Sequence, residues 1–94
     1  MTMLNHHGKP LITPTVHLNG TSRDSLLEEL MAADEALNDA YGTLKKAAPN
    51  ARDYYLGGPS DFTLATTQHM DRLKRLDSVI NEIREIIIDV DAQG

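Results

Sequence analysis

The chain has 94 residues, no cysteine, and 14 acidic against 9 basic side chains, for a net charge of −5. One domain is the expectation at this length; the missing cysteines exclude disulfides and thiolate metal centres, and the acidic balance argues against a general DNA-binding face. No apolar run, Ile86 to Ile88 included, approaches the roughly 20 residues of a membrane helix.

Residues 1–20 form an irregular arm. They carry Pro10, Pro14 and the turn pair Asn19-Gly20, and they contain no apolar stretch of the kind a secretory signal needs. A cytoplasmic protein is therefore expected. Val16 and Leu18 alternate with His17 and Asn19, so a short extended piece would bury the first pair and present the second.

Residues 21–94 read as a helical hairpin: helix 21–48, loop 49–60 and helix 60–91. The first helix starts near Thr21 or Ser22: Thr21 and Asp24 have the spacing of a capping box, with Asp shorter than the usual Glu, and Glu28 and Glu29 follow close behind. Apolar positions then step by four and three through Leu26, Leu30, Ala33, Leu37, Ala40, Leu44 and Ala47. Pro49 ends the helix, and Lys45 and Lys46 complement the dipole of its last turn. The loop has turn residues at both ends, but its middle is Arg52-Asp53-Tyr54-Tyr55. The second stripe runs Phe62, Thr66, His69, Leu73, Leu76, Ile80, Ile83, Ile87 and Val90 with the same period. Such a period favours helices packed along a left-handed seam. The fold class is thus all-α: a long antiparallel two-helix hairpin with an irregular N-terminal arm. Two helices enclose little apolar volume, so assembly into a homo-oligomeric helical bundle is expected.

Antiparallel packing would polarise the hairpin. One end collects Asp24, Glu28, Glu29, Glu82, Glu85, Asp89 and Asp91 against Arg23 and Arg84, and the other Lys45, Lys46, Arg52, Arg72, Lys74 and Arg75 against Asp53, Asp61, Asp71 and Asp77. Copies placed end for end would bring opposite charges together. The plainer reading is that these are solvated helix faces.

Three groups of residues could carry chemistry. His17, Asn19, Thr21 and Arg23 surround a helix start, where free N–H groups and a guanidinium suit an anion, and where an ordinary cap is the other reading. Arg52, Asp53, Tyr54 and Tyr55 offer two rings to stack on bases, a phosphate donor and a polar acceptor, or else simply close the end of the bundle. Thr66 and His69 are polar positions in the second stripe, either a pocket lining or a satisfied core pair. His6-His7 lacks further ligands at useful spacing, so neither a metal nor a cofactor is expected. No catalytic motif is present in the sequence, and an enzyme is not expected.

The blocks Val16-His17-Leu18-Asn19-Gly20-Thr21-Ser22 and Arg52-Asp53-Tyr54-Tyr55, followed by His69 and Arg72, resemble a family of short proteins from tailed phages and prophages. The resemblance covers most of residues 15–90. In organisation, rather than in aligned residues, the chain is similar to the phage sponges for cyclic oligonucleotides that counter CBASS and Thoeris immunity. Those are oligomers of helical hairpins that sequester a signal without cleaving it.

The resemblance implies a homo-oligomer that binds a nucleotide-like signal in the infected bacterial cytoplasm, with neither DNA nor a membrane as partner. The two blocks lie roughly 40 Å apart along a straight hairpin, so a shared pocket requires two subunits. There Tyr54 or Tyr55 would stack a base, Arg52 and Arg23 hold phosphate, and Asn19, Thr21 and Asp53 read polar edges, with His17, His69 and Arg72 nearby. The alternative is a helical adaptor or host-protein inhibitor acting by protein contact. A hydrolase is the least favoured reading.

Overall fold

The computed structural model describes residues 3–93. Two long helices, α1 (Arg23–Lys46) and α2 (Asp61–Ala92), pack against each other, and no strand forms among the described residues. Their direction follows from two distant contacts. Arg23 at the start of α1 meets Asp91 at the end of α2, and Leu44 near the end of α1 meets His69 early in α2. The protein is an antiparallel helical hairpin.

α1 begins where Ser22 accepts a hydrogen bond from the Ser25 amide at 3.1 Å. Of the two expected starts, Thr21 and Ser22, the cap is Ser22. The hydroxyl meets one of the four amides that a helix start leaves without a partner. At the other end, Lys45 and Lys46 occupy the last turn, as the dipole favours, and Lys45 also lies 5.8 Å from the Tyr41 ring centre.

The heptad reading holds for α2 and broadens on α1. In α2, His69, Ile80 and Val90 are buried, and the stripe positions between them are half-buried. On α1, Leu26 and Ala33 are half-buried with Leu30, Leu37 and Leu44, while Ala40 and, past the helix end, Ala47 are exposed, and Leu27, Asp34 and Tyr41 are half-buried as well. Two stripes with the same period run side by side on this helix. The larger side chains face α2 because they remove more apolar area from water. Ala40 and Ala47 are left exposed, and Ala33 stays half-buried.

Arg84 secures the edge next to the α1 seam. It donates to Asp34 at 3.1 Å and to Asn38 at 2.9 Å. These are partly exposed groups, worth on the order of 1 kcal/mol together. Their geometric effect is to fix the register between the helices.

The arm is more ordered than its prolines suggest. Asn5 accepts from the amides of His7 and Lys9 at 2.9 and 3.0 Å, turning the chain at Gly8 (φ 74°) so that Leu4 and Pro10 form a single bridge. Residues 13–16 then fasten to the end of α2. Thr13 donates to Asp89, the Val16 amide donates to the Gln93 side chain at 2.7 Å, and Gln93 donates to the Pro14 carbonyl at 2.8 Å. The extended pair expected at Val16 and Leu18 does not form: Val16 is half-buried, but Leu18 is fully exposed in a turn from His17 to Gly20.

The interior is thin. Only Ile80 and Val90 are buried apolar residues among those described. The accessible surface is 7080 Å² for a 10.4 kDa chain, where a compact monomer of that mass would expose about 5,400 Å². The radius of gyration is 18.2 Å, against about 12 Å for a globule of this length. The molecule is a rod of 61 × 25 × 18 Å.

Candidate functional site

The loop between the helices is built from two short 3-10 turns, Ala51–Asp53 and Tyr55–Gly57. Asn50 caps the first by accepting from the Arg52 amide at 3.1 Å. Gly58, at φ 110° and ψ 165°, supplies a backbone conformation that side chains rarely adopt. The chain then enters α2 at Asp61. The first two turns of α2 extend past the end of α1, and the loop folds onto them.

This packing separates the two tyrosines. Tyr54 is half-buried with its ring centre 6.4 Å from that of Phe62, tilted by 46°. Tyr55 points out and is 72% exposed. Arg52 and Asp53 are exposed on the same segment, and neither has a side-chain partner among the described residues. Leu56, also exposed, extends this surface. The sequence reading did not single it out; a large apolar residue beside two tyrosines in a glycine-rich loop was the available signal.

His69 is buried, and its Nε2 donates to the Leu44 carbonyl at 2.9 Å. That carbonyl lies in the last turn of α1, where intrahelical donors run out, and it also accepts from the Ala47 amide at 3.0 Å. His69 is thus a bridge between the helices. Thr66, one turn earlier, has a buried hydroxyl with no partner among the described residues. Arg72, one turn later, is exposed and unpaired among those residues. Of the two readings of Thr66 and His69, the contacts favour a core position for His69.

At the opposite end, Val16, His17, Leu18, Gly20, Ser22 and Arg23 line an open groove of about 520 Å³. The His17 ring lies over Gly20, where an added Cβ would come within 2.7 Å of Nε2. Asn19 and Thr21 are exposed on the turn. Arg23, by contrast, is engaged. Its guanidinium donates to the Asp91 carbonyl at 3.0 Å and to the Asp91 carboxylate. α2 has no basic residue in its own last turn, so Arg23 supplies the cation that this helix end favours.

The ten residues singled out by sequence therefore fall into separate places. Arg52, Asp53, Tyr54 and Tyr55 lie at the loop end, with His69 and Arg72 farther along α2. His17, Asn19, Thr21 and Arg23 lie at the other end of the rod. One chain does not bring the two ends together. No cluster of three or more metal-ligating side chains occurs among the described residues. Comparison of the chain with protein-family models, curated proteins and solved structures finds no match.

Proposed function

We propose that this is a phage-encoded, non-enzymatic binding protein that assembles from helical hairpins and sequesters a nucleotide-derived immune signal between subunits, in the cytoplasm of the infected cell. The phage assignment rests on the resemblance of the Val16–Ser22 and Arg52–Tyr55 blocks. The observation that carries the binding assignment is the state of Arg52 and Tyr55. Both are exposed and unpaired among the described residues, on a segment held by the Asn50 cap and the Tyr54–Phe62 contact. A ring and a guanidinium presented on a fixed turn suit stacking on a base and pairing with a phosphate.

Asn19 and Thr21, exposed at the far end, would complete the pocket from a second subunit. Arg23 is already paired with Asp91, so Arg52 is the stronger candidate for the phosphate. Calorimetry against cyclic dinucleotides, cyclic trinucleotides and ADP-ribose-type compounds tests the reading. Saturable binding, with the ligand recovered unchanged after denaturation, is the expected result. No heat at micromolar protein with every compound would rule the reading out, and product in the supernatant would make the protein a hydrolase.

A second reading, a helical adaptor or inhibitor of a host protein, is favoured by a different observation. Met31 and Ile88 are 59% and 61% exposed near the acidic end of the rod, flanked by Glu28, Glu35 and Glu85. Exposed apolar side chains with acidic neighbours suit a basic protein surface. Under this reading, pull-down from host lysate recovers a defined partner and calorimetry with nucleotides is silent.

A further inference from the structure

The two long faces of the hairpin differ. One carries the Arg84–Asp34–Asn38 network across the groove between the helices. On the other, α1 presents Ala36 and Ala40, both exposed, and α2 presents Val79 and Ile86, exposed and half-buried. The helical repeat places these on one side, because residues three, four and seven apart share a face. Glu29 lies seven residues before Ala36 on this face, and Arg72 seven residues before Val79. Both are exposed, and neither has an ion-pair partner among the described residues.

Antiparallel packing fixes their levels. The pairs Arg23 with Asp91 and Leu44 with His69 place Ala36 beside Val79, Glu29 beside Ile86, and Thr43 beside Arg72. The face therefore reads acidic, apolar, basic along its length, with Glu29 and Arg72 each about 10 Å from the middle.

We propose that a second copy of this chain docks on this face end for end, about a two-fold axis at the level of Ala36 and Val79. The proposal rests on the self-association in the reading above, but not on its ligand. A two-fold that reverses the rod sets Glu29 of each copy at the level of Arg72 of the other, giving the same pair twice. A parallel arrangement would stack like charge on like. Small side chains at Ala36 and Ala40 let the helices approach closely, so that Val79 and Ile86 become enclosed. The area fits as well: the chain exposes about 1,700 Å² more than a compact monomer of its mass, and a stable interface buries roughly 800 Å² from each partner.

The same axis accounts for the separated residues. Phe62, which holds Tyr54, lies 17 residues before Val79, about 26 Å along α2. Arg23 lies 13 residues before Ala36, about 20 Å along α1, with the His17–Gly20 turn just beyond it. Reversing the rod about this level therefore brings the Arg52–Tyr55 loop of one copy alongside the Asn19–Thr21 turn of the other, at both ends of the dimer.

Charge reversal with mixing tests the arrangement. Glu29→Arg and Arg72→Glu, each alone, put two like-charged pairs in the dimer and should weaken self-association about tenfold or more by sedimentation. Mixing the two variants restores complementary pairs at both ends, so the mixture should associate as tightly as the wild type. Circular dichroism on each variant checks that the helices persist. If the single variants dimerise like the wild type, or if mixing restores nothing while both remain helical, the end-for-end arrangement is wrong. A wild-type dimer that binds no nucleotide, beside variants that behave as predicted, would uphold this arrangement and reject the sponge reading.

Discussion

Tyr54 and Tyr55 are adjacent in sequence and opposite in environment, so the two substitutions to alanine should separate structure from binding. Tyr54→Ala removes the ring against Phe62 and should cost about 1–2 kcal/mol of stability. Thermal unfolding reads it as a lower Tm. Tyr55→Ala removes an exposed ring and should leave Tm unchanged while weakening nucleotide by about 1–3 kcal/mol. Equal effects of the two on Tm would mean that the loop only closes the bundle. In the seam, the buried Thr66 hydroxyl lacks a partner among the described residues. Thr66→Val keeps the branched shape and removes a desolvated polar group, so it should raise stability by about 1 kcal/mol. His69→Ala removes both the ring and the donor to Leu44 and should lower stability by about 2–3 kcal/mol by the same measurement.

Both long helices were legible as sequence because apolar spacing runs along each, with the Ser22 cap and Pro49 bounding α1 and the Gly58-Pro59 break preceding α2. The choice of stripe on α1 was less so. Leu26–Ala33–Ala40–Ala47 and Leu27–Asp34–Tyr41 have the same period beside the shared leucines. The contact face takes in Leu26 and Ala33 of the first and all of the second, because side-chain size and the reach of Arg84 to Asp34 widen it, which a period alone does not contain. The clamp between the arm and α2 was illegible for a similar reason. Thr13 and Gln93 are ordinary polar residues 80 positions apart, and their contacts arise only once the hairpin has formed. In the site, the aromatic loop could be read from composition, but the commitment of Arg23 to Asp91 could not. Arg23 and Gln93 together hold the last turn of α2. Arg23→Met or Gln93→Ala should let that turn fray, seen as faster amide hydrogen exchange over residues 87–92 with little change in the middle of the helix.

At the scale of the whole molecule, a rod with two buried apolar side chains among the described residues encloses too little for much stability of its own. The proposed assembly supplies the missing enclosure and places the loop and turn residues at a common level. A folded state that requires partners must become more stable as protein is added. The direct measurement is sedimentation equilibrium over a hundredfold range of protein concentration, paired with thermal unfolding of the same samples. The account predicts a mass at least twice 10.4 kDa and a Tm that rises with concentration. A mass of one chain throughout, with a Tm independent of concentration, would contradict it.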